Sequence, residues 1–176
     1  MFPLASPVVP CGTMSLEVDA VARAEMLIRK PLEEVFEAFV NPEITTRFWF
    51  SRASNRLDNA REVAWEWGML ERAVHVKVKA LEKNKRILIE WSAFGAPTTV
   101  EWTFVARDDA TYLRVRNWGF SGSSDSRVRT AIESTEAFTL VLVGAKAWLE
   151  QGVVLNLISD RHPQPAPAPS LHHAHS

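Results

Sequence analysis

Hydrophobic and polar residues alternate with a period of two through five consecutive runs in the middle of the chain, then recur at steps of three and four further on. In the first run Val63, Trp65, Trp67 and Met69 share one face and Ala64, Glu66 and Gly68 the other. Val74, Val76 and Val78 alternate with His75, Lys77 and Lys79, and Ile87, Ile89 and Trp91 with Leu88 and Glu90. Thr98, Val100, Trp102 and Phe104 then oppose Thr99, Glu101 and Thr103, and Leu113, Val115 and Asn117 oppose Tyr112, Arg114 and Arg116. Successive side chains of a strand point to opposite faces, so these runs predict five strands with one dry and one wet face. Lys83-Asn84-Lys85, Gly95-Ala96-Pro97 and Asp108-Asp109 separate them as short turns, which predicts an antiparallel meander. Glu66, Glu90 and Glu101 then stand on the wet face across from His75, Lys77, Arg114 and Arg116 as cross-strand pairs.

The longer period marks one helix from Ser124 to Gln151. Val128, Ala131, Ile132, Thr135, Phe138, Thr139, Leu142, Ala145 and Leu149 fall on a single stripe of a 3.6-residue helix. At 1.5 Å per residue it would extend about 40 Å, enough to cross a small domain. Ser123, Ser124 and Asp125 are candidate N-caps, and Gly152 stands where a left-handed C-terminal residue is wanted. Gly144 lies inside the helix, where its missing side chain permits a bend or a close approach. Before the meander, Val21 to Ile28 reads as a first strand. Pro31 opens a helix on which Leu32, Val35, Phe36 and Phe39 share a face, and Asn41-Pro42 ends it before a second short helix over Glu43 to Phe48.

Composition narrows the function more than the fold. The 176 residues make one domain's length with tails: residues 1–20, with three prolines and no periodicity, read as a disordered lead, residues 21–158 as the domain, and the Pro/Ala/His-rich residues 159–176 as a disordered tail. A net charge of -1 provides no basic footprint for nucleic acid or an anionic membrane surface. No apolar run approaches the roughly 20 residues of a membrane-spanning helix. The single cysteine, Cys11, excludes an internal disulfide and fits a reducing, cytoplasmic setting. Seven Trp beside one Tyr is the unusual feature, and implies either a heavily aromatic core or a lined pocket.

The order β-α-α-β-β-β-β-β-α resembles the α+β helix-grip fold of the START-like, Bet v 1-like or SRPBCC superfamily, in which a curved antiparallel sheet wraps around a long C-terminal helix. IRKPLEEVFEAFVNPEITTRFWF, with Val35-Phe36, Pro42 and Phe48-Trp49, resembles the opening of its activator of Hsp90 ATPase homologue 1-like, or polyketide-cyclase-like, branch. VEWTFVARDDATYLRVRNWGF over residues 100–120 resembles that branch's last hairpin, and AKAWLEQGV over residues 145–153 its helix end. One departure is REVAWEW at residues 61–67, which lacks the Gly that often precedes the second strand.

The resemblance implies a small apolar molecule held between the helix and the concave sheet. The side chains that would line such a cavity are Phe39 and Phe48 from the helical segment, Trp65, Trp67, Val76, Trp91, Trp102 and Asn117 from the dry face, and Thr135, Phe138, Thr139 and Leu142 from the long helix. Plain core packing remains the other reading of the Trp set, and Asn117 reads either as a ligand contact or as a structural amide paired with its neighbours. No catalytic residue stands out: His75, Glu66, Glu90 and Glu101 fall on the wet face, and no His or Asp at helical spacing accompanies Ser134, Thr135 or Thr139 to activate a hydroxyl. No cofactor is implied, and the terminal histidines have no matching ligand cluster for a metal. The expected partner is therefore a small hydrophobic molecule, with no nucleic acid and no membrane. The resemblance leaves a cyclase or aromatase, or a weak interaction with an Hsp90-type chaperone, as alternatives, although the residues before Val21 are too few for the extra N-terminal domain of such co-chaperones. Oligomeric state is not indicated.

Overall fold

The structure, a computed structural model, describes residues 19–163. Seven strands form one antiparallel sheet: β1 (Ala22–Ile28), β2 (Arg52–Ala53), β3 (Glu62–Trp67), β4 (Arg72–Glu82), β5 (Arg86–Phe94), β6 (Ala96–Arg107) and β7 (Ala110–Trp118). Their order across the sheet is β1-β7-β6-β5-β4-β3-β2, so the meander of β3 to β7 is closed at one side by the first strand. Register shifts between Val78 and Ala80 and between Trp91 and Phe94 add local bends, and the sheet curves around the helices on its dry face. Helices α1 (Leu32–Val40) and α2 (Pro42–Thr45) follow β1, α3 (Ser124–Gln151) follows β7, and a short α4 (Leu157–Arg161) ends the described chain. The shape is the expected α+β helix-grip fold.

Local chemistry sets the element ends. Pro31 precedes α1 as its cap, where its carbonyl accepts from the Glu34 and Val35 N–H groups. The Asn41 side chain accepts from the Glu43 N–H at 3.1 Å and starts α2. Helix α3 has the bounds read from its period: the Ser123 hydroxyl accepts from the Ser126 N–H, and Gly152 adopts φ 68 at the far end. Inside α3, a Cβ on Gly144 would lie 3.1 Å from Phe48 Cβ and 3.2 Å from the Phe48 carbonyl oxygen, so the glycine serves a close approach to the segment after α2.

Several expectations are corrected. The second helix covers Pro42–Thr45 rather than Glu43 to Phe48. β3 stops at Trp67, and Gly68–Leu70 forms a 3₁₀ turn that ends at the left-handed Glu71, which takes Met69 out of the alternation. Within the polar loop, Arg52–Ala53 pairs with β3, with the Ser51 and Ser54 N–H groups donating to the carbonyls of Glu66 and Ala64. Helix α4 lies in a stretch read as leading into the tail and runs past residue 158. The glutamates of the wet face choose other partners: Glu66 meets Arg52 at 2.7 Å, Glu90 meets Lys79 at 3.6 Å and Glu101 meets Arg86 at 3.1 Å. Lys77 does stand opposite Glu90 and Arg116 opposite Glu101, but long side chains reach diagonal neighbours as readily. The rest of the expected lead and tail, residues 1–18 and 164–176, lies outside the described residues.

The largest correction concerns the rotation of α3. Its buried face is Ala131, Ser134, Phe138, Val141, Leu142 and Ala145, while Val128 is 46% and Ile132 63% exposed, and Thr139 is also exposed. Hydrogen bonds explain the turn. Ser134 donates to Asn117 Oδ1 at 3.0 Å, and Asn117 Nδ2 donates to Thr98 Oγ1 at 3.0 Å and to the Thr99 carbonyl at 2.8 Å. Asn117 and Ser134 are both fully buried, so this small network satisfies groups that would otherwise cost free energy. Along the same side, the Arg23 N–H donates to Thr135 Oγ1, Lys146 Nζ donates to the Leu27 carbonyl at 2.8 Å, and the Arg29 N–H donates to Glu150 Oε1 at 2.7 Å. The outer edge of β1 is thus covered by α3, which removes an open strand edge.

Candidate functional site

The dry face of the sheet is organised around Trp49, which follows α2 and is 7% exposed. Its ring centroid lies 4.8 Å from that of Trp65, 5.9 Å from Trp102, 6.0 Å from Phe138, 6.1 Å from Trp91 and 6.4 Å from Trp67. Such edge and tilted contacts are favourable aromatic geometry, and they fill much of the space between helix and sheet. On the inner side, the void bounded by Phe39, Trp49, Leu57, Trp65, Ile87 and Trp102 has no room for a water molecule.

On the outer side a cleft of about 450 Å³ remains open. The sheet supplies its apolar wall through Trp67, Val74, Trp91, Ala93 and Phe94, and Trp49 stands at its base. From α3 come Glu133, Glu136, Ala137, Leu140 and Val141, and from α4 and its end Ile158, Arg161 and His162. Leu70 and Arg72, at the turn between β3 and β4, complete the rim. Arg161 Nη2 meets Glu136 Oε1 at 2.6 Å and pins α4 to α3 beside the opening. The cleft's volume lies in the range common for small-ligand clefts, with an apolar wall and polar groups at the mouth.

Of the residues expected to line a cavity, Trp67 and Trp91 border this cleft. Phe39, Trp65 and Trp102 bound the filled inner void, and Val76 and Leu142 are fully buried core. Phe138 is buried with its ring 5.8 Å from Trp91 and 5.9 Å from Trp102. Phe48 packs on Gly144 and borders a recess of about 90 Å³ under the chain that links α3 to α4. Asn117 is structural, engaged by Thr98, Thr99 and Ser134. Thr135 turns toward β1, and Thr139 is exposed with its hydroxyl donating to the Thr135 carbonyl, so neither meets the expectation of a cavity-facing hydroxyl. His75 is exposed on the wet face.

The pattern of alternation does not single out Trp49, although the Phe48-Trp49-Phe50 triplet carries the signal, nor the cleft-facing side of α3. Glu133, Ala137, Leu140 and Val141 recur at helical spacing too, but as a mixed polar and apolar row they do not stand out against an apolar stripe.

The carboxyls held low by buried or bridging partners lie away from the cleft. Burial pushes the Glu150 carboxyl upward, but the Arg29 N–H and the Lys146 ammonium outweigh it and hold the group below the ordinary carboxylate value. Arg56 bridges Glu37 of α1 at 2.6 Å and Asp58 at 2.9 Å, and its hydrogen bonds hold both carboxyls low. Among the described residues no group of three or more His, Cys, Asp or Glu is placed to hold a metal ion. No described helix is long and apolar enough to cross a membrane.

Comparison with known proteins bears on this architecture directly. Among solved structures, SSP2350 from Staphylococcus saprophyticus matches with a TM-score of 0.66 at 24% identity, over 77% of this chain and 95% of that one. DynU16, described as a protein of the dynemicin biosynthetic locus, matches with a TM-score of 0.64 at 19% identity, over 78% of this chain and 49% of that one. The Aha1 dimer from Colwellia psychrerythraea matches with a TM-score of 0.61 at 15% identity, over 75% and 97%. At these identities the likeness shows a shared fold. Comparison with curated proteins finds no relative. Residues 29–143, from the end of β1 into the last third of α3, match the profile described as Activator of Hsp90 ATPase homolog 1-like protein, and the chain belongs to that family.

Proposed function

We propose that this protein binds a small hydrophobic or aromatic molecule in the cleft between α3 and the concave face of the sheet. The observation that carries the reading is the cleft itself: about 450 Å³ of open space walled by Trp49, Trp67, Trp91 and Phe94, beside an inner void that has no room for a water molecule. An apolar ligand would there exchange water for aromatic surface, at roughly 25 cal/mol per Å² buried. Tryptophan fluorescence reports it, because three of the wall residues are indoles. Fluorene should quench the emission saturably. Ala137→Trp, which adds a ring to the helix wall from an exposed position, should abolish the quenching and leave the folded state unchanged. Equal binding by the Ala137→Trp variant would refute the location. Native mass spectrometry of freshly purified protein would identify a co-purified cargo.

One observation favours a second reading, a cyclase or aromatase-like enzyme. Glu133 and His162 stand at the mouth of the cleft, where a confined aromatic substrate would meet an acid or base, and placement can supply much of a rate enhancement. DynU16, with the same fold, is described by its biosynthetic locus. Turnover of polyketide substrates that is lost in Glu133→Gln would favour this reading; binding without turnover across a broad panel would refute it. The family's description motivates a third assay, stimulation of an Hsp90-type ATPase, and its absence would remove that role.

A further inference from the structure

Two polar groups in the aromatic cluster contrast with the satisfied network at Asn117. The indole nitrogens of Trp91 and Trp102 are buried and have no hydrogen-bond partner among the described residues. Buried donors are almost always paired in folded proteins, and each one left unpaired calls for a reason. Their placement supplies one. Trp91 is on the wall of the cleft and Trp102 bounds the closed void behind it, and both rings touch the same two neighbours, Trp49 and Phe138. Trp49 borders the cleft on one side and the void on the other. A flat molecule entering from the cleft and taking the place of the Trp49 ring would lie against both indoles.

Apolar surface alone would leave the two N–H groups as they are. An oxygen on the buried edge of the ligand would accept from either of them, and the site would then discriminate, because a buried donor distinguishes a ligand that satisfies it from one that does not. We propose that the ligand is a flat aromatic molecule bearing a carbonyl or comparable acceptor oxygen, and that Trp91 and Trp102 are the donors that select it. This rests on the cleft being the binding site and adds the polar half of the specificity. Indole N–H groups donate and do not accept, so the pair requires an acceptor atom on the ligand.

Fluorene and 9-fluorenone test it, since they share a ring system and differ by one carbonyl. Titration of the full chain should show fluorenone binding about ten-fold more tightly than fluorene, the factor expected for satisfying one buried donor. The advantage should vanish in Trp91→Phe/Trp102→Phe, which keeps aromatic rings and removes the N–H groups. In wild-type protein with 15N-labelled tryptophan, fluorenone should move the Trp91 or Trp102 indole N–H resonance downfield and fluorene should not, a readout independent of whether the double variant folds. Equal affinities with both indole resonances unmoved overturn the donor proposal and leave the cleft as an apolar site. Binding by neither compound overturns the cleft and the donors together.

Discussion

Helix α3 has two sides that the protein treats in opposite ways. Toward β1 and β7 it forms a seam in which the polar groups find partners: Asn117 with Ser134, Thr135 with the Arg23 N–H, Lys146 with the Leu27 carbonyl and Glu150 with the Arg29 N–H. Toward the ends of β3, β4 and β5 it stands off the sheet, leaves a cleft of about 450 Å³, and faces a ring cluster in which two indole donors have no partner among the described residues. One side holds the helix in place and the other leaves room. Proteins that bury polar groups without partners lose stability, so the imbalance marks the open side as the one adapted for something other than folding.

Substitutions on either side of the helix test the difference. The largest effect belongs to Trp49→Ala, which removes the central ring of the cluster and should cost about 3–5 kcal/mol in a urea titration. The same variant should take up fluorene or fluorenone more readily than wild type, because the ring between cleft and void is gone. A loss of stability with no gain in binding would make Trp49 core alone. Asn117→Ala follows, at about 3 kcal/mol, since it takes a partner from the buried hydroxyls of Ser134 and Thr98 together. Combined with Ser134→Ala it should be clearly non-additive, by more than about 0.5 kcal/mol, and strict additivity would deny the seam. Gly144→Ala should destabilise by about 1 kcal/mol, the gain in helix propensity being outweighed by contact with the Phe48 backbone.

The smallest effect is electrostatic. Glu150 has a folded pKa below its ordinary value of 4.5. Its contribution is therefore complete above that value and lost as pH falls through the lowered folded one. Glu150→Gln should destabilise by at most about 1 kcal/mol near neutral pH, and the difference from wild type should shrink toward zero on acidification below 4.5. A difference that is constant with pH would show that the carboxylate's charge contributes nothing there.

Legibility in the sequence followed element length. The first strand, the five strands of the meander and the whole of α3 are legible, the longer ones because each repeats its period several times, and the caps at Ser123 and Gly152 mark the helix ends. The two-residue β2 and the five-residue α4 are too short to show a period, and α4 helps to wall the cleft. The rotation of α3 misled for a different reason. Ranking by hydrophobicity put Ile132 inward, whereas the helix buries Ser134 because Asn117 offers it a hydrogen bond from across the sheet. That pairing joins residues 17 positions apart and leaves no local trace. The same turn decides the site. With Ser134 at the seam, Ala137 and Leu140 face the cleft, and Thr135 and Thr139, expected there, do not.

Isotope-filtered NOE spectroscopy on the fluorene complex tests the division most directly, because methyl groups label both sides of the helix. Binding on the open side predicts NOEs from the ligand to the methyls of Val74, Ala93, Ala137 and Val141. NOEs confined instead to Ala22, Ala24 or Val128, along the seam and the outer face of α3, would contradict the account.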